Sequence, residues 1–183
     1  MPPTAGHGQE VRRRLLVAAA ELIPERGWSA VSTRILADRA GVTASVVHYH
    51  FSSVQDVLTE SAITAMRQVL ATTGELFISA TTPAAAIDAM LASVEEYDGT
   101  DPTSLLFTET YLAATRDERL RAEIAALVGD FRARVANWLA IHQVAEPAAT
   151  AAVLAAALDG LLLHRSLRPE SPALTTVLRR LVS

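Results

Sequence analysis

Apolar residues recur every three or four positions along most of this chain, which is the spacing of one face of an α-helix. The first such run starts at Glu10, after an arm of residues 1–9 that contains proline, glycine and polar side chains. Pro24 lacks an amide proton and crowds the preceding turn, so we expect the first helix to kink or end near Ile23. No alternating run of strand length occurs. The pattern therefore predicts an all-α protein.

Two short helices joined by a tight turn are predicted next. Ser32 and Thr43 carry hydroxyls that suit helix N-caps, and Gly41 suits the end of a helix. The predicted helices cover residues 33–40 and 43–51. This arrangement has the outline of a helix-turn-helix motif.

Longer helices follow over the rest of the chain. We expect them at about residues 54–74, 83–97, 102–114, 118–141, 148–167 and 173–181. The Asp159-Gly160 pair normally marks a turn, but apolar helical sequence flanks it on both sides, which favours one unbroken helix. A change of pattern after residue 52 divides the chain into an N-terminal helix-turn-helix domain, residues 1–52, and a C-terminal helical domain, residues 53–183.

The composition limits the possible chemistry. The chain has 183 residues, of which 50% are hydrophobic and 20% charged, so it is long and apolar enough to fold around a core. It has no cysteine, which excludes disulfides, thiolate nucleophiles and cysteine-based zinc sites. The sequence contains no phosphate-binding loop, nucleophile elbow or dinucleotide-binding fingerprint. We therefore expect a protein that is not an enzyme and needs no cofactor.

Two polar clusters are candidates for metal or catalytic sites. His48 and His50 are two positions apart, so on a helix they point to different faces and do not form a metal-binding pair. An acidic group at a helix end and its loop could mimic paired carboxylates, but we interpret it as a solvated corner. It consists of Glu95, Glu96, Asp98 and Asp101. We therefore predict no metal site.

The sequence also bears on where the protein works. Its N-terminus lacks the apolar segment of a secretory signal. The longest apolar stretch, residues 147–158, meets Asp159 and is shorter than the roughly 20 residues of a membrane span. We therefore expect a cytoplasmic protein without a membrane partner.

Charge is distributed unevenly along the chain. All 16 basic residues are arginine, against 20 acidic residues. Residues 1–58 carry six arginines and five acidic residues, whereas the remainder carries ten arginines and fifteen acidic residues. Because phosphate repels negative charge, the N-terminal part is the better candidate for nucleic-acid binding.

The second short helix presents a face that suits the major groove of DNA. Residues on this face are short or form hydrogen bonds. They are Thr43, Ala44, Ser45, His48 and Tyr49. The pattern alone fits an ordinary helical hairpin in a protein core equally well.

Residues 10–58 resemble the DNA-binding half of the tetracycline-repressor (TetR) family. The matching segments, in order, are Ala18-Ala19-Ala20-Glu21-Leu22, Glu25-Arg26-Gly27-Trp28, Ser32-Thr33-Arg34, Ala40-Gly41-Val42-Thr43 and Tyr49-His50-Phe51. The resemblance implies an all-α homodimer with a C-terminal domain for ligand binding and dimerisation. It also implies a transcriptional repressor that binds a near-palindromic operator in double-stranded DNA until an unknown small-molecule effector releases it.

The resemblance also implies DNA-contacting positions. They are Ser32, Thr33, Arg34, Thr43, Ala44, Ser45, His48, Tyr49 and His50. The chain departs from the family at two positions, with His48 in place of a common tyrosine and Val54 in place of a common lysine. One interpretation is that Arg39 or the Arg12-Arg13-Arg14 run replaces the phosphate contact of that lysine. The alternative is that these residues are solvated surface arginines.

The C-terminal domain holds the predicted dimer interface and ligand site. The helix after residue 148 and the last helix resemble the family's dimer interface, with a core helix as the alternative. The interface residues are Val153, Leu154, Ala157, Leu158, Gly160 and Leu161. Ligand pockets are mostly apolar, and the bulky candidates, each of which also fits a plain core, are Met66, Met90, Tyr97, Phe107, Tyr111 and Trp138. Glu109 either pairs with a cationic ligand or lies at the surface.

Two other functions stay open at this point. One is a transcriptional activator on the same scaffold. The other is a helical module that binds a small molecule but no DNA.

Overall fold

A computed structural model describes residues 5–95, 97–165 and 173–182. Its helices are α1 (Ala5–Arg26), α2 (Thr33–Ala40), α3 (Ala44–His50), α4 (Val54–Ile78), α5 (Pro83–Glu95), α6 (Pro102–Ala114), α7 (Glu118–Ile141), α8 (Pro147–His164) and α9 (Ala173–Arg180). A short 3-10 turn, Trp28–Ala30, follows α1. These described residues include no strand, and the prediction of an all-α fold is confirmed.

Helix α1 begins earlier than its hydrophobic pattern suggests. Its first residue is Ala5, so the expectation of an arm over residues 1–9 is wrong for residues 5–9, whereas residues 1–4 lie outside the described part. A Cβ atom built on Gly8 would lie 3.7 Å from Cε1 of His50. This first turn therefore packs beside the end of α3, a contact that a polar local sequence does not reveal.

Helix α1 also continues past Pro24 and ends at Arg26, so of the two expected outcomes, a kink or an end near Ile23, the end is wrong. Proline in the last turn removes only one intrahelical hydrogen bond. The amide of Gly27 still donates to the carbonyl of Ile23, at 2.9 Å. The end of α8 predicted at residue 167 lies outside the described residues, which follow this helix to His164.

Packing divides the chain into two compact units. The first contains Met1–Met66 and Leu105–Arg121, and the second contains Arg67–Ser104 and Ala122–Ser183. Most of α6 therefore packs in the same unit as α1, α2 and α3. The boundary expected after residue 52, between the helix-turn-helix domain and the C-terminal helical domain, stays a prediction.

Each unit has its own apolar core. In the first unit, the largest fully buried side chains on α1, α2 and α4 are Leu15, Leu22, Ile23, Leu36, Leu58 and Met66. In the second unit, the core forms around Phe77, Ile87, Met90, Leu139 and Leu154. Arg179 on α9 forms hydrogen bonds of 2.6 and 2.7 Å to both carboxylate oxygens of Asp88 on α5, which links the exposed sides of these two helices.

Helix α8 is apolar on its exposed side as well as on its buried side. It runs unbroken through Asp159 and Gly160, as predicted. Its 18 residues have a mean hydropathy of 1.5, and only 28% of them are buried. By length and composition it could cross a membrane. The expectation that the apolar stretch is too short considered residues 147–158, whereas the helix continues beyond Asp159. The same properties suit a helix that packs against a partner protein.

Two aspartates organise the loop before α6. Asp98 Oδ1 accepts hydrogen bonds from the amides of Thr100 and Asp101, at 2.7 and 2.8 Å. Asp101 Oδ1 accepts from the amides of Thr103 and Ser104, both at 3.0 Å. Main-chain donors order both carboxylates, and Asp101 caps the N-terminus of α6. The interpretation of this acidic group as a solvated corner is therefore incomplete for these two residues.

The same hydrogen bonds lower the pKa values of both aspartates. The amide and hydroxyl of Thr100 hold the pKa of Asp98 below its ordinary value. Partial burial pushes the pKa of Asp101 upward, but hydrogen bonds from Ser104, Thr103 and Gly99 together outweigh it, so this pKa is also lowered. Ionisation of both groups therefore favours the folded state.

Removal of the α6 cap should destabilise the protein. We expect Asp101→Ala to lower the free energy of unfolding by about 1 kcal/mol at neutral pH, the usual effect of losing an N-cap. Asp101→Asn keeps a capping oxygen and should lose less. Urea titrations at neutral pH measure both changes.

The pH dependence has a defined sign. The folded pKa of Asp101 lies below its ordinary value of 3.8, so the stability from its charge is complete above that value and disappears as the pH falls through the folded pKa. The difference between the parent and Asp101→Asn at neutral pH should therefore narrow when the pH is below 3.8. A difference that is the same at both pH values would contradict this assignment.

Candidate nucleic-acid interface

Helices α2 and α3 meet at a turn that depends on glycine. Gly41 has φ 65° and ψ 41°, in the left-handed region. Its amide donates to the carbonyl of Asp38 at 3.3 Å, and the amide of Val42 donates to the carbonyl of Ala37 at 3.0 Å. This pair of bonds is a Schellman motif, which satisfies the last carbonyls of α2 and redirects the chain into α3.

The two predicted N-cap residues both precede their helices, but their side chains differ in role. The hydroxyl of Ser32 accepts a hydrogen bond from the amide of Ile35 at 3.3 Å, as an N-cap does. The hydroxyl of Thr43 lies 2.8 Å from the hydroxyl of Ser45 and makes no capping bond. Both hydroxyls at the start of α3 are therefore part of its exposed surface.

A small apolar interior fixes which face of α3 points outward. Its buried side chains are Leu36, Ala40, Val47 and Phe51. Ile35 and Val42, beside them, are half-buried. Because Val47 lies in the middle of α3 and is completely buried, the residues on either side of it face away from the core.

Seven of the nine predicted DNA-contacting residues are exposed, namely Ser32, Arg34, Thr43, Ala44, Ser45, His48 and Tyr49. Thr33 and His50 are half-buried. Tyr49 is 80% exposed, which is high for an aromatic side chain, and its ring meets the ring of His50 edge-on at 5.1 Å. The outer face of α3 thus offers hydroxyls, an imidazole and a phenol.

Carboxylates engage several arginines beside this motif. Arg39 contacts Glu25 and, at 3.2 Å, Glu21 on α1. Arg13 pairs with Glu10 at 2.6 Å. Hydrogen bonds from these guanidinium groups lower the pKa values of Glu25 and Glu10. Phosphate binding by Arg39 or Arg13 would therefore compete with an existing ion pair.

Arg34, at the start of α2, is more open to a phosphate. Its side chain is 91% exposed, and the nearest carboxylate, that of Asp38, is 4.0 Å away. The guanidinium of Arg14 lies instead over the turn, 3.3 Å from the carbonyl of Gly41. Val54, where the family commonly has lysine, is the half-buried first residue of α4.

A cluster that sequence reasoning missed holds the end of α3. The guanidinium of Arg12 lies 4.8 Å from the ring centre of Phe51, which follows α3 directly. It also forms two hydrogen bonds of 2.5 Å to the carboxylate of Glu60 on α4. Arg12 thus connects α1, the end of α3 and α4. Its partner Glu60 is 48 positions away along the chain, so no local pattern indicates the pair.

Trp28, in the turn after α1, is held from two other helices. Its indole nitrogen donates to the side-chain oxygen of Gln55 on α4 at 2.8 Å. Its amide donates to Oε2 of Glu109 on α6, also at 2.8 Å. Glu109 is half-buried. The expectations for this residue were a cationic ligand or a surface position, and neither included a main-chain amide as its partner.

The candidate ligand-binding residues are divided between the two units. The second unit contains Met90, Tyr97 and Trp138, and the first contains Met66, Phe107 and Tyr111. All six are buried or half-buried. Their role in a pocket stays a prediction. Across residues 5–95, 97–165 and 173–182 no group of histidine and acidic side chains could hold a metal ion.

The candidate interface residues on α8 lie partly in the core. Leu154 and Leu158 are 1% and 6% exposed and pack within their own unit. Val153 is 50% exposed, and a Cβ atom built on Gly160 would meet no other atom within 4 Å. Ala157 and Leu161 are half-buried. The side of α8 that contains Val153 and Gly160 is thus open to a partner.

Two family descriptions match this chain. The description "Bacterial regulatory proteins, tetR family" matches residues 15–60, which include α2 and α3. The description "Tetracyclin repressor-like, C-terminal domain" matches residues 81–183, more than half of the chain. Together they include both the exposed face of α3 and the apolar helix α8.

Known proteins are similar over different lengths. The crystal structure of a transcriptional regulator from Streptomyces coelicolor A3(2) has a TM-score of 0.78 and 30% identity, and covers 95% of this chain and 99% of that chain. An HTH-type transcriptional regulator of Mycobacterium tuberculosis is 25% identical over 69% of this chain, and the match spans 65% of that relative, less than two thirds of its length. The HTH-type transcriptional activator FasR of Mycolicibacterium smegmatis is 37% identical over 71 residues, 35% of this chain and 32% of FasR.

The turn at Gly41 can be tested by one substitution made at two glycines. Gly41→Ala should lower the free energy of unfolding by about 1–2 kcal/mol, because a Cβ atom is unfavourable in the left-handed region. Gly129 lies exposed within α7, with nothing within 4 Å of an added Cβ. Gly129→Ala should therefore raise the free energy of unfolding by about 0.5–1 kcal/mol. Urea titrations at equal protein concentration measure both changes, and equal signs would contradict the turn geometry.

Proposed function

The chain belongs to the tetR family of bacterial transcriptional regulators, and we propose that it is a repressor that binds a near-palindromic operator as a homodimer and is released by a small molecule. Because this family consists of transcription regulators, the prediction that the chain is not an enzyme is confirmed. The proposed repressor acts in the cytoplasm, where it reaches DNA.

The exposed face of α3 is the observation that carries the DNA-binding proposal. Its hydroxyls, imidazole and phenol are groups that contact base edges and phosphates in the major groove. In the proposed complex, Ala44, Ser45 and Tyr49 lie against base edges, whereas Arg34 and His50 lie beside the phosphate backbone. The two α3 helices of a dimer would enter successive major grooves about 34–36 Å apart, one turn of B-DNA.

Homodimerisation is proposed through the open side of α8. Small and apolar residues repeat on this side at alternating spacings of four and three positions, the seam that two packed helices share. They are Ala149, Val153, Ala156, Gly160 and Leu163. Val177 on α9 and Leu181 directly after it are further exposed apolar side chains, at 50% and 38% exposure. Leu154 and Leu158 support α8 from within their own subunit.

Release by an effector is proposed to act through the distance between the two α3 helices. A small molecule with an apolar body would bind among the middle helices and favour a conformer whose helices no longer fit one DNA turn. A coupling free energy of about 1–3 kcal/mol changes operator affinity 5- to 150-fold.

An activator on the same scaffold is the second candidate, since the relative FasR is an activator. A reporter gene behind the bound DNA separates the two. Repression predicts higher expression when the regulator gene is deleted, and activation predicts lower expression.

The DNA-binding proposal can be tested without knowing the regulated genes. The protein is used to select duplexes from a pool of random sequence, and the selected duplexes should contain an inverted repeat. Gel-shift titration then compares this operator with an unselected duplex. Equal affinity for both would contradict operator recognition, whereas no binding to either duplex would favour a helical module that binds a small molecule but no DNA.

Tyr49 should contribute to operator affinity but not to stability. Tyr49→Ala should weaken operator binding by at least about 1 kcal/mol, the scale of one specific contact. Ile141 is 78% exposed at the end of α7, similar to the 80% of Tyr49. Ile141→Ala is therefore a control that should bind operator like the parent. Unchanged affinity of Tyr49→Ala would remove this residue from the interface.

Val153 should be required for the dimer. Val153→Glu would bury an unpaired charge in the proposed interface, so sedimentation should show monomers. Val17, on α1, is 45% exposed, close to the 50% of Val153, and lies outside the proposed interface. Val17→Glu should therefore remain dimeric. If Val153→Glu remains a dimer at micromolar concentration, α8 is not the interface.

A further inference from the structure

Trp28 lies at a point where three segments of the first unit meet. Gly27, which follows α1 directly, has φ 83° and ψ 150°, a backbone conformation that favours glycine. The chain then enters the 3-10 turn Trp28–Ala30, in which the amide of Trp28 points out of the helical hydrogen-bond pattern. The carboxylate of Glu109 accepts a hydrogen bond from this amide, with the Trp28 nitrogen 2.8 Å from Oε2. One acidic side chain thus satisfies a main-chain donor that the turn leaves without a local partner.

Glu109 is held in place by its own helix. Its neighbours on α6 are buried, with Leu106 at 4%, Phe107 at 7% and Thr110 at 0% exposure. The hydroxyl of Thr110 donates to the carbonyl of Leu106 at 2.6 Å. Because this face of α6 is buried within the first unit, the backbone from which Glu109 reaches Trp28 is held in place.

The turn that Glu109 holds leads directly into the helix-turn-helix motif. Val31, which follows the turn, is 3% exposed, and the next residue, Ser32, caps α2. The indole of Trp28 is fixed at the same time by Gln55 on α4. A displacement of this turn would therefore move the start of α2 relative to α4, and α3 would follow through the turn at Gly41.

We infer that Glu109 is a positioning residue for DNA recognition: its carboxylate, on α6, fixes the turn at Trp28 and thereby the orientation of α2 and α3. This inference rests on the proposed operator binding. It assigns a role in recognition to a residue far from α2 and α3 in sequence, one that touches no DNA. The contact is a hydrogen bond to a charged acceptor, which is stronger than one between neutral groups.

Three substitutions at Glu109 separate the reach of the side chain from its charge. Glu109→Gln removes the charge but keeps an oxygen that can accept the amide of Trp28. Glu109→Asp keeps the charge but is one methylene shorter, which withdraws the carboxylate from the amide. Glu109→Ala removes both. A positioning role predicts that the Gln variant binds the operator within about threefold of the parent, whereas the Asp and Ala variants bind about tenfold more weakly.

The probes are the operator selected by the parent protein, an unselected duplex and the same operator with its half-site spacing changed by one base pair. Non-specific affinity depends on phosphate contacts, which none of these substitutions touches, so all four proteins should bind the unselected duplex equally. The Asp and Ala variants should discriminate less between the two spacings. Their Trp28 amide should also exchange its hydrogen faster than in the parent.

A matched control lies on α7. Glu118 is exposed, pairs with Arg121 and belongs to the same packing unit, so Glu118→Ala should leave operator affinity unchanged. The inference is overturned if the Asp variant binds the operator like the parent, because charge rather than reach would then matter. It is also overturned if the Asp and Ala variants lose affinity equally for all three duplexes, or if circular dichroism shows both to be unfolded.

The outcome for the parent protein separates this inference from the proposed function. A parent that does not distinguish the operator from the unselected duplex contradicts operator binding itself. A parent that distinguishes them, with the Asp and Ala variants equal to it on every probe, contradicts only the role of Glu109.

Discussion

A helix of seven residues is not stable in water by itself, and this constraint governs the first unit. Helix α3 has one fully buried side chain, Val47, and depends on contacts at both ends. The glycine turn fixes where it starts, and the stack of Arg12 on Phe51 fixes where it ends. Helices α1, α4 and α6 thus act as supports for a short element whose outer face remains free.

The supporting contacts change the meaning of the arginines near the motif. A count of charge suggests a basic patch around residues 12–14, but Arg12 and Arg13 are each paired with a carboxylate. Arg39 is paired with two. Arg12 and Arg39 therefore hold helices together, whereas Arg13 pairs within α1. The exposed guanidinium of Arg34 is the clearest exception in this region.

The sequence predicts those features that depend on nearby residues. The cap at Ser32, the turn at Gly41 and the outward face of α3 follow from spacing and residue type, and the structure agrees. Thr43 precedes α3 as predicted but makes no capping bond. Contacts between distant residues leave no such pattern, which is why the pairing of Arg12 with Glu60 and of Glu109 with Trp28 was missed. The hydrophobic pattern predicts a start of helix α1 at Glu10, later than the observed start at Ala5. The reason is that the first turn packs against His50, a contact that its own polar sequence does not reveal.

The interrupted path of the chain through the first unit has a consequence for synthesis on the ribosome. Helices α1, α2 and α3 leave the ribosome early, but the unit is completed only by Leu105–Arg121. At about 5–20 residues per second, several seconds separate the emergence of Met66 from that of Arg121. During this interval the amide of Trp28 lacks its acceptor on α6, and the nascent N-terminal helices have an incomplete core. The order of synthesis therefore makes α6 the segment that completes the folding of the first unit.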